Sequence, residues 1–204
     1  MNHQLQIKHL GSQDYQDSWN SMRATISGKT QEDKDEVWLL EHPPVFTIGH
    51  AGSKDNLLES GAIPVIRSDR GGEITFHGPG QLVVYFMINL RRRGWGPKRL
   101  VQELEELIIN LLKLYAIEAE RKTGFPGIYV EEKKIASIGL KINRGFSYHG
   151  ISLNVDMDMS PFKQINPCGI SSLQLTQMKD LTDVAMDDVR NNFAWAIEDH
   201  FDNI

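Results

Sequence analysis

Hydrophobic residues recur along the chain with a helical period in three segments, and they form short apolar runs elsewhere. Tyr15, Trp19, Met22 and Ile26 recur at helical spacing. This spacing predicts a first amphipathic helix, with Ser12 as its N-terminal cap.

Two further helices are predicted downstream. Pro97 occupies a position typical of a first helical residue, and a leucine stripe follows it: Leu100, Leu104, Leu107, Leu111 and Leu114. A third helix is predicted from about Thr182, with Val189, Phe193 and Ile197 on its apolar face.

Short apolar runs bounded by proline and glycine predict the strands. They lie at 37–40, 45–48, 64–67, 73–76, 82–89, 128–131, 134–141 and roughly 146–155. The run 82–89 is apolar or aromatic over most of its length, as expected for a strand covered on both faces. Clustered strands with a few long helices predict an α/β (α+β) fold with a mixed sheet, and residues 1–204 are expected to form one domain.

Composition narrows the classes of function. The chain has 204 residues with 22 Lys+Arg against 27 Asp+Glu, a net charge of −5, which argues against nucleic-acid binding. The longest apolar run, Leu82 to Ile88, is too short to cross a membrane, and the first residues lack a secretory apolar region. One cysteine excludes an internal disulfide. We therefore expect a cytoplasmic protein.

That cysteine, Cys168, lies in the turn sequence Asn166-Pro167-Cys168-Gly169, outside any apolar period. Free cysteine is commonly a small buried hydrophobe, but a turn between proline and glycine leaves its sulfur uncrowded. A nearby ammonium would hold such a thiol as the reactive thiolate. Cys168 is thus a candidate nucleophile.

Lys134 begins an otherwise apolar strand. Strand alternation predicts that it shares a face with Ala136, Ile138 and Leu140, and that Lys133 faces solvent. Many lysines at strand starts only extend outward, so the alternation serves mainly to favour Lys134 over Lys133 if either is catalytic. The sequence alone cannot bring Lys134 to Cys168.

A glycine-rich segment, 70–81, carries one arginine, one histidine and four glycines. Glycines allow a ligand to approach the backbone closely. It matches neither a phosphate-binding loop nor a dinucleotide fingerprint. A second small-residue segment, 148–152, lies on or beside a predicted strand. The scattered histidines do not predict a metal site.

Together these segments resemble the octanoyl-[acyl-carrier-protein]:protein N-octanoyltransferases of lipoate biosynthesis. The resemblance is carried by Arg70-Gly71-Gly72 through His77-Gly78-Pro79-Gly80-Gln81, by 133–139 and by 166–169, with support from 42–47 and 146–150. It implies a mixed sheet backed by helices, similar to the catalytic domains of biotin protein ligase and lipoate ligase.

The resemblance also implies an acyltransferase and its substrates. The octanoyl donor is expected on the phosphopantetheine of acyl carrier protein, with no further cofactor. The acceptors are expected to be lysines of lipoyl domains in the E2 subunits of 2-oxoacid dehydrogenases and in the glycine cleavage H protein. No metal, nucleic acid or membrane is expected.

By motif position, the resemblance implies Cys168 as the acyl-thioester nucleophile and Lys134 as its partner. It implies acyl binding by three segments: Arg70, Gly71, Gly72, Glu73, Ile74, Thr75, Phe76 and His77; Ser137, Ile138 and Gly139; and Gly150, Ile151 and Ser152. Backbone amides near Gly71-Gly72 or Ser137-Gly139 are candidates to stabilise an oxyanion.

Two alternatives stay open at this point. An ATP-using lipoate or biotin ligase would share the fold but activate a free acid as its adenylate. A non-enzymatic acyl- or nucleotide-binding module would use the glycine segments and leave Cys168 inert. The basic cluster Arg91, Arg92, Arg93, Lys98 and Arg99 is either a solvated surface or a docking site for the acidic carrier protein.

Overall fold

A computed structural model describes residues 5–59 and 61–202. Its helices and strands, in chain order, are β1 Leu5–Ser12, α1 Tyr15–Gly28, β2 Asp35–Glu41, β3 Val45–Ile48, β4 Val65–Arg67, β5 Ile74–His77, β6 Gln81–Met87, α2 Leu90–Arg93, α3 Pro97–Lys113, β7 Glu120–Lys122, β8 Phe125–Val130, β9 Lys133–Asn143, β10 Phe146–Asn154 and α4 Met186–Asp202.

Seven strands form one mixed sheet in the order β1-β2-β6-β10-β9-β8-β7, in which only β1 and β2 are parallel. A smaller sheet has the order β4-β3-β5. The predicted mixed α/β (α+β) architecture is confirmed. The two predicted strands around 64–76 do not pair with each other, because β3 lies between them.

The large sheet is covered on both faces, which explains the apolar composition of β6. Val84 and Phe86 contribute to a core with α3 and α4, whereas Val83 and Tyr85 face α1. Every residue of β6 is buried. Burial of both faces favours an unbroken apolar run over alternation, as predicted for this segment.

Several predicted boundaries are wrong. Ser12 ends β1, and Asp14 caps α1 by accepting the amides of Gln16 and Asp17 at 2.7 and 3.1 Å. A carboxylate oxygen satisfies these otherwise unpaired amides at the helix start. Leu114 lies just beyond α3 and is 56% exposed, so it does not extend the buried stripe.

Two more elements end or begin elsewhere than predicted. The strand predicted at 82–89 stops at Met87, because the Asn89 side chain accepts the amide of Arg92 and starts α2. The tail helix begins at Met186 and not near Thr182. No described helix has the length and apolarity needed to span a bilayer.

Gly80 links the turn before β6 to the residues that follow β10. Its carbonyl accepts the amides of Val155 and Asp156 at 3.1 and 2.9 Å, and its φ is +83°. A Cβ at this position would lie 1.8 Å from the Asp156 carbonyl oxygen. Only glycine fits both the backbone angle and the space.

Gly80→Ala is expected to lower the free energy of unfolding by about 2–4 kcal/mol, from left-handed strain and a backbone clash. Urea denaturation measures the loss. Gly94→Ala is the control, since Gly94 has φ +66° with open space around it, and about 1 kcal/mol is expected there. Equal losses in the two variants would contradict the clash.

Candidate active site

Lys134 and Cys168, 34 residues apart in the chain, meet in the structure. The Lys134 Nζ lies 3.2 Å from the Cys168 Sγ and also donates a hydrogen bond to the Pro126 carbonyl at 2.9 Å. Lys134 is only 4% exposed, and Cys168 is half-buried. An ammonium this close to a sulfur stabilises the thiolate by direct electrostatic attraction.

A β-bulge directs Lys134 toward the cysteine. Ile128 pairs with Ala136 and Tyr129 pairs with Lys134, which leaves Ile135 as an extra residue in β9. The predicted face shared by Lys134 and Ala136 is therefore wrong, because a bulge interrupts the alternation. Ala136 packs in the main core, while the Lys134 Nζ lies 5.6 Å from the centre of the Tyr129 ring.

The main chain of Lys134 holds the segment that follows the cysteine. Its amide donates to the Gln174 carbonyl at 2.9 Å, and the Thr176 amide donates to the Lys134 carbonyl at 3.0 Å. These bonds form a short parallel bridge between Lys134 and Leu175. Lys134 and the segment that follows Cys168 are thus connected by backbone pairing as well as by the contact of the two side chains.

The Cys168 backbone is itself constrained. Its φ and ψ are 57° and 19°, a left-handed conformation that is costly for a residue with a side chain. The turn is held from the Asn166 amide, which donates to the Asn56 carbonyl at 2.8 Å. The Asn56 side chain donates in turn to Glu73 at 3.2 Å. Glu73 therefore supports the turn that presents the thiol.

A cavity of about 650 Å³ opens beside this pair. Thirteen of the fourteen residues predicted to bind the acyl group line it: Arg70, Gly71, Gly72, Glu73, Ile74, Thr75, His77, Ser137, Ile138, Gly139, Gly150, Ile151 and Ser152. The structure therefore brings three distant segments together beside Lys134 and Cys168. Their binding roles stay predictions.

Phe76 is the member of the predicted set that does not line the cavity. Its ring packs against Phe46 and Phe162, with ring centres 5.5 and 5.6 Å apart. Because neighbouring strand residues point to opposite faces, Phe76 lies behind the wall that Thr75 helps to form. It packs in the core of the smaller sheet and does not line the cavity beside Lys134 and Cys168.

Arg70 is a buried cation whose hydrogen-bond partners are all uncharged. Its guanidinium donates to the hydroxyl and carbonyl of Thr47 and to the carbonyls of Gly71 and Glu73, over 2.6–3.1 Å. No carboxylate of the described residues forms an ion pair with it. Burial lowers the pKa of Arg70 from its ordinary value, yet arginine remains charged in proteins. Its charge is therefore available to an anion in the cavity.

The glycines of the cavity wall allow two backbones to touch. The Gly71 amide donates to the Leu140 carbonyl at 2.9 Å, and a Cβ on Gly139 would come within 3.0 Å of the Gly71 carbonyl oxygen. The Gly71 amide is thus already hydrogen-bonded. It is therefore not free to serve as one of the predicted oxyanion donors.

The sequence pattern assigned no role to several polar residues that line or adjoin the cavity. Tyr15, Tyr85 and His149 line the cavity, and His42 connects to it through a 2.7 Å bond with the Tyr85 hydroxyl. Burial lowers the pKa of His42 to about 4 and that of His77 well below its usual value. Both rings are therefore neutral at physiological pH. Scattered histidines and tyrosines carry no spacing signal that groups them.

The mouth of the cavity also contains residues that the sequence analysis left unassigned. Phe125 and Pro126 are exposed there, and Tyr129 lies beside Lys134. Burial, the nearby Cys168 and Glu105 raise the pKa of Tyr129 to about 12.

In residues 5–59 and 61–202, no group of three or more metal-binding side chains comes together.

Three of the five residues of the predicted basic cluster form ion pairs with acidic residues of the same chain. Arg92 and Arg93 both form ion pairs with Asp35, and Arg99 pairs with Glu103. Lys98 is exposed and follows Pro97, which lines the cavity. Lys98 is therefore the member best placed for contacts near the cavity.

The model of the lipoyl protein ligase A/B catalytic domain matches residues 14–198. The chain belongs to this family. It is 51% identical to an octanoyltransferase of Vibrio atlanticus over 89% of this chain and 83% of the relative. It is 52% identical to one of Shewanella pealeana over 87% and 81%. The predicted resemblance to octanoyltransferases is confirmed.

Solved structures with low sequence identity share the fold. Lipoate-protein ligase A bound with ATP superimposes with a TM-score of 0.81 at 16% identity, over 98% of this chain and 86% of that one. A biotin protein ligase from Aquifex aeolicus gives 0.55 at 13% identity, over 98% and 70%. Both likenesses support the predicted fold.

Lys134→Met is expected to slow alkylation of Cys168 by iodoacetamide at pH 7 about tenfold or more, because ~1.4 kcal/mol of lost attraction corresponds to tenfold. Mass spectrometry of the single cysteine measures the rate. Lys133→Met removes a neighbouring exposed lysine and is expected to change nothing. A rate in Lys134→Met equal to wild type would show that the lysine does not activate the sulfur.

Proposed function

We propose that this protein transfers an octanoyl group from acyl carrier protein to a lysine of a lipoyl domain, through a thioester on Cys168. The observation that carries the proposal is the Lys134–Cys168 contact of 3.2 Å beside a cavity of about 650 Å³. Relatives about half identical in sequence are octanoyltransferases. We expect the acceptor lipoyl domains to belong to 2-oxoacid dehydrogenases or to be the glycine cleavage H protein.

In the first half-reaction, the Cys168 thiolate attacks the thioester carbonyl of the donor. A bond forms between sulfur and the acyl carbon, and the bond to the phosphopantetheine sulfur breaks. The departing thiolate takes a proton from the Lys134 ammonium. The buried charge of Arg70 favours the negative charge that develops on the carbonyl oxygen. One thioester replaces another, so no nucleotide is consumed.

In the second half-reaction, the acceptor lysine amine attacks the acyl carbon on Cys168. Lys134, left neutral by the first step, accepts the proton that the amine loses. Cys168 leaves as a thiolate, and the regenerated Lys134 ammonium stabilises it. One lysine thus serves as proton donor and then as proton acceptor, and the enzyme returns to its starting state.

The second candidate function is ATP-dependent ligation of a free acid. The fold shared with lipoate-protein ligase A bound with ATP motivates it. The reactive pair favours acyl transfer, because an adenylate mechanism gives a thiol beside an ammonium no task. The two functions differ in what they require: a carrier-bound thioester in one, ATP and octanoate in the other.

Intact-mass spectrometry with octanoyl carrier protein and no acceptor is expected to show one octanoyl adduct on the wild-type protein, removed by neutral hydroxylamine. Cys168→Ser is expected to lack this labile adduct. Addition of a lipoyl domain is expected to transfer the group to the acceptor.

Three results would refute the proposal. A hydroxylamine-labile adduct that persists in Cys168→Ser would place the nucleophile elsewhere. Modification of a lipoyl domain that needs octanoate plus ATP, with no reaction from the carrier-bound donor, would assign the protein to the ligase alternative. Binding without turnover, unaffected by loss of Cys168, would assign it to the binding-module alternative.

Exposed Lys98, at the start of α3 beside the cavity, is the basic residue that we assign to docking of the acidic carrier protein. Lys98→Glu is expected to raise KM for octanoyl carrier protein about threefold to tenfold at low salt, with kcat little changed, since a rim charge acts on encounter and is screened by salt.

The matched control for this substitution is Lys113→Glu, at the opposite end of the same helix. It is expected to leave KM unchanged. A carrier affinity that is insensitive to salt, or equal effects of the two substitutions, would contradict the docking role. Steady-state kinetics at two ionic strengths provides the measurement.

A further inference from the structure

His149 is an unusual residue of the cavity wall. It lies within β10, yet its φ is +60°, and its side chain is 1% exposed. A left-handed conformation is rare for a residue with a side chain and persists only where the surrounding structure enforces it. Residues of this kind cluster at functional sites.

A hydrogen bond donated to Asp69 fixes the histidine ring. The His149 Nε2 lies 2.9 Å from the Asp69 Oδ1, and the Tyr148 hydroxyl donates to the other carboxylate oxygen. Burial raises the pKa of Asp69, but hydrogen bonds from His149 and Tyr148 outweigh it and lower this pKa to about 2. Asp69 is therefore ionised, and the proton between the two groups belongs to Nε2.

The other ring nitrogen is left without a partner. Burial lowers the pKa of His149, so the ring is neutral and its Nδ1 carries a lone pair. That buried atom has no hydrogen-bond partner among the described residues. The unpaired Nδ1 and the left-handed backbone of His149 each cost free energy. A regular strand residue has neither feature.

The Asp69–His149 bond joins two segments of the proposed acyl site. Asp69 directly precedes the 70–73 loop, and His149 directly precedes Gly150, Ile151 and Ser152. It also keeps the carboxylate away from Arg70, whose partners are all uncharged. The Asp69 carboxylate is thus bound to His149, whereas the Arg70 guanidinium lines the cavity and forms no ion pair with it.

We propose that His149, held by Asp69, is a positioning residue for acyl transfer. It fixes the 70–73 loop against β10, and so it sets where the acyl thioester and the Arg70 charge lie relative to Cys168. The inference rests on the proposed function. It assigns to His149 and Asp69 no contact with the thiol, so the reactivity of Cys168 itself should not depend on them.

The test is a single-turnover measurement of octanoyl transfer from carrier protein to Cys168 in His149→Gln, His149→Phe and Asp69→Asn. The acylation rate is expected to fall on the order of 10- to 100-fold, the effect of a displacement of about 1 Å at a reacting group. Iodoacetamide alkylation of Cys168 in the same variants is expected to stay within about twofold of wild type.

A matched control comes from a second histidine–carboxylate pair. The His200 Nε2 lies 2.8 Å from a Glu103 oxygen, and neither residue lines the cavity. His200→Gln removes a comparable bond and is expected to leave acylation unchanged. Thermal melting of each variant, followed by circular dichroism, reports separately on the loss of folding stability.

The possible outcomes are distinct. Acylation at the wild-type rate in the His149 and Asp69 variants overturns the proposal, and so does alkylation that falls by the same factor as acylation. An equal loss in His200→Gln overturns it as well. A wild-type protein that forms no octanoyl adduct would instead overturn the proposed function, before any variant is compared.

Discussion

The contact between the buried Lys134 ammonium and the Cys168 sulfur is the interaction on which the rest of this site depends. A lysine placed in a protein interior requires compensation, because burial disfavours its charged form. Here the Pro126 carbonyl and the Cys168 sulfur supply that compensation at 2.9 and 3.2 Å. In the proposed mechanism, the same contact with Lys134 activates the Cys168 thiol, so one interaction both stabilises the buried lysine and prepares the nucleophile.

Charge is distributed in the cavity with little mutual cancellation. Arg70 and Lys134 both line it, and their described partners are carbonyls, a hydroxyl and the thiol. Two nearby carboxylates have other hydrogen-bond partners: Glu73, which also lines the cavity, accepts from Asn56, and Asp69 accepts from His149. A cavity that keeps its cations unpaired suits a reaction whose intermediates are anions.

Much of this could be predicted from the sequence, for identifiable reasons. The amphipathic stripes of α1 and α3 have a strong helical period, and the continuous apolar run 82–87 in β6 is typical of a strand covered on both faces. The motif segments around Arg70, Ser137 and Gly150 are contiguous in the chain. The extra residue at Ile135 was not predictable, because alternation assumes an unbroken ladder. The roles of Asp14, His149 and Tyr85 depend on which distant elements come together, and no local pattern records that.

The main-chain bridge between Lys134 and residues 174–176 has a consequence for tolerance to substitution. Because backbone atoms make these hydrogen bonds, the bonds do not depend directly on the side chains of Gln174, Leu175 and Thr176. Substitutions that keep this stretch extended are therefore expected to preserve the register between Lys134 and the segment that follows Cys168.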